Sequence, residues 1–123
     1  GSGCQKCANF ATSVLEKKWL DALGIEKRQY KIKLDNSYVI VDGYDQETNT
    51  IYEFLGDYWH GNPRKYDLTK KNERSKKTFG QLYENTNKRI ARLQQEGYNV
   101  IIKWESDFKD ENHLQARRPS PGK

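Results

Sequence analysis

Two carboxylates lie in neighbouring apolar segments of the chain, at positions that adjacent strands can bring together. Asp42 follows the apolar run "YVIV", and Glu53 lies within the next such run, "TIYEFLG". Because side chains alternate along a strand, the two carboxylates can lie nearly opposite each other on paired strands, within reach of one cation. Magnesium suits this pair, since it takes one or two carboxylates and keeps several waters, with Mn²⁺ as the alternative cation. The competing interpretation is a surface hairpin with two solvated acids.

His60, one of the two histidines of the chain, comes just beyond the second of these predicted strands. Chain that leaves the edge of a sheet commonly carries function. A neutral imidazole there could take a proton from an attacking water, because its reference pKa lies near neutral pH. The competing interpretation is a histidine that only forms a hydrogen bond in a tryptophan-rich corner.

Two further acids have two interpretations each. Asp57, in the turn "GDYW", could orient His60 or reach the metal, or it could only satisfy backbone donors of the turn. Glu16 fits a capping box with Ser13 at the start of a predicted helix, and the same helix could also bring it to the metal site. The turn role is sufficient to explain Asp57, and the capping role is sufficient to explain Glu16.

A basic segment follows His60. The stretch "PRKYDLTKKNERSKK" has seven cations against only two acids. Cations beside a phosphate-cleaving centre neutralise the backbone of DNA, and the interleaved aromatics Tyr58, Trp59 and Tyr66 offer surfaces for bases. A run of charge is usually a solvated face, so this segment gains weight only from its proximity to the acids and to His60. The cations are Arg64, Lys65, Lys70, Lys71, Arg74, Lys76 and Lys77.

A helix and three strands are predicted ahead of His60. The helix covers "TSVLEKKWLDALG" and ends at Gly24. Alternating apolar residues predict strands at 29–34, 38–44 and 50–56, separated by the polar turns "DNS" and "DQETN". Such short turns favour an antiparallel meander. The apolar stripe of the helix consists of Leu15, Trp19, Ala22 and Leu23.

After a loop at 61–77, a second helix and a last strand are predicted. The helix ends at Gly97, and "YNVIIKW" indicates a strand buried on both faces. A strand, a helix and a strand form a crossover, so the last strand should run parallel to the third. The predicted fold class is α/β, with a mixed sheet (antiparallel meander plus parallel crossover strand) flanked by helices. The apolar face of the second helix consists of Phe79, Leu82, Tyr83, Thr86, Ile90 and Leu93.

Length and composition predict one small basic domain. The 123 residues carry a formal net charge of +5, and an excess of cations favours polyanions such as nucleic acid. No apolar run approaches the roughly 18 residues of a membrane span, and no signal peptide is visible, so no membrane partner is expected. The default setting is the cytoplasm of a bacterial or virus-infected host cell.

The residues around His60 resemble one nuclease family. "EFLGDYWHGNP", followed by "KTFGQLYENTNKRIARLQQEGYNVIIKWESDF", is similar to the core of the very-short-patch-repair (Vsr) mismatch endonucleases and of the related phage homing endonucleases with an EDxHD motif. The resemblance covers about residues 16–108 and implies a restriction-endonuclease-like core of the PD-(D/E)XK superfamily. The features in register are Gly56, Tyr58-Trp59-His60 and Trp104-Glu105.

This resemblance implies a role for five residues. Asp42 matches the metal-binding aspartate, and His60 matches the histidine that acts as general base. Glu16 matches a glutamate on the first helix that supports the metal site. Tyr58 and Trp59 match the aromatic pair that wedges into the duplex in the mismatch enzymes.

The chain also departs from the repair enzymes. Their structural zinc ligands after the motif histidine are absent from "GNPRKYD". Thr86 falls where they carry an acid that partners the histidine, and Asp57 could substitute for it. Glu53 has no counterpart in them but resembles the wider PD-(D/E)XK nucleases, whose companion lysine would fall at Leu55. These differences favour the homing type.

Two cysteines near the start allow a zinc interpretation. Cys4 and Cys7 form "CQKC" behind "GSG", which reads as a tag or linker. A second CxxC upstream would complete four thiolates, so residues 1–10 hold either the remnant of a zinc knuckle or two thiols without metal. Residues 11–110 are predicted to be the endonuclease catalytic domain, and 111–123 a disordered tail. An upstream DNA-targeting module is expected to have been removed.

The sequence therefore predicts the nuclease domain of a homing endonuclease, a Mg²⁺-dependent enzyme that hydrolyses phosphodiester bonds in double-stranded DNA. Asp42, with Glu53 or Glu16, would hold the metal. The alternatives are a non-catalytic DNA-binding module, a Vsr-type mismatch nicking enzyme and RNA cleavage. Whether two copies act as a homodimer on DNA stays open.

Overall fold

The fold is built on a four-stranded mixed sheet. The computed structural model describes the backbone of residues 2–117 and the side chains of residues 12–111. The main sheet has the order β1-β2-β3-β6, in which β1, β2 and β3 are antiparallel and β6 pairs parallel with β3. The predicted meander with a parallel crossover strand is thus confirmed. The strands are β1 (Lys27–Lys33), β2 (Tyr38–Asp45), β3 (Thr50–Leu55), β4 (Lys71–Asn72), β5 (Lys77–Thr78) and β6 (Asn99–Trp104).

Helices flank the sheet on both faces. The crossover helix α3 begins with a capping box, since the Thr78 hydroxyl accepts from the N–H of Gln81 while the Gln81 side chain accepts from the N–H of Thr78. No helix within the described part of the chain is both long and apolar enough to cross a membrane. The helices are α1 (Ser2–Leu23), α2 (Asp57–His60), α3 (Phe79–Gln95) and α4 (Glu105–Arg117).

The core consists of two clusters, one on each face of the sheet. Phe54 points to the side of α1 and α4, where it packs near Trp19 and Phe108. Ile51 points to the other side, where Leu93 of α3 is fully buried. Burying each such side chain stabilises the fold by about 1.5–3 kcal/mol, so both helix layers are fixed to the strands that carry Asp42 and Glu53.

Helix α1 ends at Leu23, next to the predicted stop at Gly24, but it differs from its prediction at its start and in its buried stripe. It begins at Ser2, so Ser13 lies inside the helix and the predicted capping box with Glu16 is wrong. The reason is that neither glycine nor proline interrupts residues 4–23, so the helix continues upstream. Its buried stripe contains Trp19 and Leu20, whereas Ala22 and Leu23 of the predicted stripe are exposed.

Strand β6 lies at an edge of the sheet. Its only partner among the described strands is β3. Ile101 and Ile102 are 45% and 37% exposed, so the prediction of a strand buried on both faces is wrong. A short apolar run does not by itself distinguish a central strand from an edge strand, because the order of strands in a sheet is set by tertiary packing.

The two ends of the chain are described only in part. Helix α4 follows β6 directly and extends through Arg117, into the segment 111–123 for which a disordered tail was predicted. Residues 118–123 lie outside the described residues. The side chains of Cys4 and Cys7 also lie outside them, so the zinc interpretation stays a prediction.

Candidate active site

Strands β2 and β3 part at Asp42 and Glu53, where side chains take over the hydrogen bonds between the strands. The paired register runs up to Gly43 and Tyr52. One step further, the N–H of Asp42 donates to Oε2 of Glu53 at 3.2 Å. The N–H of Phe54 donates to Oδ2 of Asp42 at 2.7 Å. The two acids therefore lie opposite each other, as the strand alternation predicts.

Arg89 of α3 joins these acids. Its Nε donates to Oε1 of Glu53 at 2.6 Å, and its Nη2 donates to the carbonyl oxygen of Ile40 at 2.6 Å. The side chain of Glu53 is only 6% exposed, whereas that of Arg89 is 35% exposed. A buried carboxylate is costly without a partner, so Arg89 compensates the charge of Glu53 and attaches α3 to the strand pair.

These residues share one cavity with Glu16 and His60. The cavity has a volume of about 370 Å³, and Asp42, Glu53 and Arg89 also line it. Glu16 reaches it from α1, and Nε2 of Gln29 donates to Oε2 of Glu16 at 3.2 Å. Three carboxylates, one guanidinium and one imidazole therefore converge. A larger cavity of about 710 Å³, between the α1–β1 and β2–β3 turns, is lined by none of the predicted site residues.

Burial and repulsion between the acids change their protonation. Burial, together with the charges of Glu53 and Glu16, raises the pKa of Asp42 to about 7. Burial also raises the pKa of Glu16, and the charge of Glu53 adds to this effect. A cation between these carboxylates would favour their charged forms.

His60 lies at the end of α2 and contacts Thr86 of α3. The Nδ1 atom of His60 is 3.0 Å from the Thr86 hydroxyl oxygen, and that hydroxyl donates to the carbonyl oxygen of Leu82. Because the hydroxyl has only one hydrogen, its oxygen accepts from Nδ1–H, and Nε2 of the neutral ring carries the free lone pair. Burial, with the charge of Arg89, lowers the pKa of His60 to about 4.

Asp57 bonds away from this cavity. Its Oδ1 accepts from Nδ2 of Asn62 at 2.8 Å and from the hydroxyl of Ser106 at 3.2 Å. Asp57 is not among the described residues that line the cavity. The carboxylate therefore ties α2 to the start of α4 and accepts from a side chain and from α4, where backbone donors of the turn were predicted. The contact with His60 is made by Thr86.

The aromatic pair before His60 is divided between two environments. Trp59 lines the cavity. The ring of Tyr58 packs edge-on against Trp59 and Phe79, with centroids 5.0 and 5.7 Å apart. Tyr66 stacks on Phe79 at 4.3 Å and completes this aromatic cluster. Trp59 is therefore better placed than Tyr58 to meet a ligand of the cavity.

The basic segment forms turns and the β4–β5 hairpin beside α2. The fully buried Asn72 fixes this hairpin, since its Nδ2 donates to the carbonyl oxygen of Tyr58 at 2.8 Å. All seven cations of the segment are exposed. Among the ion pairs of the described residues, only that of Arg64 with Asp107 involves one of them. The remaining charges are available to a polyanion: Lys65, Lys70, Lys71, Arg74, Lys76 and Lys77.

The donor set of the cavity fits a cation that needs few protein ligands. Within residues 12–111, no group of three or more His, Cys, Asp or Glu side chains is placed to hold a metal ion. Both oxygens of Glu53 are engaged, by Arg89 and by the N–H of Asp42. Asp42 and Glu16 remain, and Mg²⁺ is commonly bound by only one or two carboxylates.

No sequence motif pointed to Arg89, whereas Thr86 was predicted on the apolar face of α3 and stood out as a departure from a family pattern. Both lie on the side of α3 that faces the sheet, where Thr86 is buried and Arg89 half-buried. The available signal was the spacing, because Arg89 follows Thr86 by three residues and precedes the core residue Leu93 by four. A charged residue at the border of an apolar helix face is a candidate partner for a buried acid.

Comparison with known proteins supplies no relative. No family model, no curated protein and no solved structure matches the chain.

Proposed function

We propose that this chain is the nuclease domain of a homing endonuclease, with a restriction-endonuclease-like core, and that it hydrolyses phosphodiester bonds of duplex DNA with Mg²⁺. The observation that carries this proposal is the convergence of Asp42, Glu16, Glu53 and His60 on one cavity. Carboxylates for a cation, with a neutral imidazole beside them, are a set suited to phosphodiester hydrolysis.

Asp42 and Glu16 are the residues that would hold the cation. The charges of Glu53 and Glu16 contribute to the raised pKa of Asp42, and a divalent cation would remove this repulsion. Bound Mg²⁺ supplies Lewis-acid stabilisation of the charge on the phosphate. Glu53 stays with Arg89 and with the backbone of Asp42, so its role is to hold the strand pair and Arg89 in place.

His60 accepts the proton of the attacking water. Thr86 holds the Nδ1–H side of the ring, so Nε2 is the atom that receives the proton. With a pKa of about 4, the imidazole is neutral throughout the physiological range and is always in the proton-accepting form. As the water oxygen bonds to phosphorus, its proton passes to Nε2, and the bond from phosphorus to the leaving oxygen breaks as that oxygen takes a proton from solvent.

The exposed cations would position the duplex. The hydrogen bond from Asn72 to the carbonyl oxygen of Tyr58 keeps the β4–β5 hairpin beside α2, which carries His60. Contacts between lysines and phosphates give affinity that falls steeply with salt. Trp59, which lines the cavity, offers a face on which a base can stack.

Cleavage of supercoiled plasmid tests the proposal. The wild type should nick or linearise the plasmid with Mg²⁺ or Mn²⁺ and not with EDTA. Asp42→Ala and His60→Ala should each slow cleavage by about 100-fold or more. Asp35→Ala, at an exposed acid of the β1–β2 turn, is the matched control for Asp42→Ala and should cleave like the wild type. An intact plasmid after incubation with the wild type, or full activity in both alanine variants, would contradict the proposal.

A DNA-binding module without catalysis is the second candidate. The observation in its favour is that Arg89 neutralises Glu53 at 2.6 Å, which leaves fewer free carboxylates for a metal. Such a module would bind duplex DNA with a steep salt dependence but would take up no Mg²⁺ in a calorimetric titration. Uptake of Mg²⁺ by the wild type and its loss in Asp42→Ala would favour the enzyme. RNA of the same sequence and a mismatched duplex, offered as substrates, separate the remaining alternatives.

A further inference from the structure

We propose that Arg89 is a catalytic residue that donates directly to the phosphate at the site of cleavage. This inference rests on the proposed nuclease function and adds to it a residue that the motifs around His60 do not contain. It assigns Arg89 two tasks, one toward Glu53 and one toward the substrate.

Arg89 is the cation of the cavity. The ionisable groups that line the cavity with it, among the described residues, are the acids Glu16, Asp42 and Glu53 and the imidazole of His60. A phosphodiester carries negative charge and gains more in the transition state, so an acidic cavity needs a donor that faces the phosphate oxygens. Among these ionisable groups, Arg89 is the one that carries a positive charge before the reaction, and its guanidinium can donate to phosphate oxygens.

The hydrogen bonds of Arg89 leave donors for a substrate. A guanidinium has five N–H groups in a fixed planar fork. Nε donates to Glu53 and Nη2 to the carbonyl of Ile40, which fixes the plane of the fork. Nη1 has no hydrogen-bond partner among the described residues, and the side chain is 35% exposed. A held fork with free donors is suited to phosphate recognition.

A purely structural role for Arg89 would require only a positive charge beside Glu53, not a planar guanidinium. A lysine could also neutralise Glu53, since one ammonium beside the carboxylate satisfies the charge. It would lack the planar fork that serves Glu53, the Ile40 carbonyl and a phosphate oxygen together. The difference between arginine and lysine therefore separates the two roles.

The test compares Arg89→Lys with Arg92→Lys. Arg92 lies one turn further along α3, is 48% exposed and pairs with Glu96. Arg92→Lys therefore makes the same substitution on the same helix, but outside the cavity. Thermal unfolding should show both variants folded. Single-turnover cleavage of a plasmid with Mg²⁺, with protein in excess, should be slower by about tenfold or more in Arg89→Lys and unchanged in Arg92→Lys. Equal cleavage rates in Arg89→Lys and the wild type would overturn the inference.

A second measurement does not depend on cleavage. The side-chain N–H resonance of Arg89, identified by its loss in Arg89→Lys, is followed by NMR while a 16-bp duplex is added with Ca²⁺ in place of Mg²⁺. It should shift, while the resonance of Arg92 stays unchanged. An Arg89 resonance that does not respond in a protein that cuts DNA overturns this inference alone. A wild type that shifts the resonance but does not cut overturns the nuclease proposal and reduces Arg89 to a phosphate-binding residue.

Discussion

The backbone N–H of Asp42 donates to the carboxylate of Glu53 at 3.2 Å, at the point where β2 and β3 part. Burial and the nearby acids raise the pKa of Asp42 to about 7. In the same cavity, burial and the charge of Arg89 lower the pKa of His60 to about 4. The two shifts affect folding stability in opposite directions.

The free energy of unfolding should therefore depend little on pH between about 4 and 6.5 as far as these two groups are concerned. Folded Asp42 holds its proton more tightly than the unfolded chain, so its contribution falls as pH rises from 3.8 to about 7. Folded His60 holds its proton more weakly, so its contribution is present above 6.5 and is lost as pH falls to about 4.

Single substitutions should reveal the pH dependence of unfolding free energy that each group contributes. In Asp42→Asn, stability should rise with pH across this window, and in His60→Gln it should fall, each by on the order of 2 kcal/mol. Denaturant titrations in EDTA at several pH values between 4.5 and 6.5 measure this difference. Profiles parallel to that of the wild type in both variants would show that neither group is shifted as described.

Asp57 should matter for stability and not for catalysis. In Asp57→Ala, the donors of Asn62 and Ser106 lose their acceptor, so the free energy of unfolding should fall by about 1–3 kcal/mol. Plasmid cleavage, measured where the variant is folded, should stay near the wild-type rate. Asp67→Ala removes an exposed aspartate that accepts from Thr69, and it is the control. A loss of cleavage as large as that of His60→Ala would instead make Asp57 a partner of the histidine.

The hairpin lysines should set the salt dependence of DNA binding. In Lys71→Gln with Lys77→Gln, the slope of log affinity against log salt should shrink by about 0.9 for each lysine that contacts a phosphate, so by about 2. Lys17→Gln with Lys88→Gln removes the same charge from exposed positions on α1 and α3. The two double variants are compared by fluorescence anisotropy with a labelled duplex. Equal slopes would mean that the hairpin does not contact DNA.

Gly61 should be sensitive to a single added methyl group. Its φ of 68° is left-handed, and a Cβ there would run into the carbonyl oxygen of Phe79. Gly24 has a similar φ of 73° but open space around it, so Gly24→Ala should cost only about 1–2 kcal/mol. Gly61→Ala should cost clearly more, because α2 must move away from α3. Denaturant unfolding of both variants measures the difference, and equal losses would contradict it.

Local patterns in the sequence determined much of the sheet and the opposition of the two strand acids. The alternation at Asp42 and Glu53 predicted their facing positions, because a strand repeats every two residues and the polar turn between them is short. The helical face ending at Leu93 and the stop at Gly97 were readable because a helix repeats about every 3.6 residues and glycine readily adopts the positive φ that follows a last turn. The local pattern did not show where α1 begins. Residues 4–23 contain no glycine or proline that would mark its start, and the apparent capping box of Ser13 and Glu16 was the clearest start signal in this stretch.

Only the tertiary structure decided the partners within the site. Arg89 lies 36 residues from Glu53, and Thr86 lies 26 residues from His60, so their contacts depend on how α3 docks on the sheet. Glu16 reaches the cavity because α1 packs through Trp19 and Leu20. The edge position of β6 also depends on which strands pair with it, and its apolar run does not determine this. Periodicity reports which face of an element is buried, whereas the identity of the residue on the other side is set by the packing of whole elements.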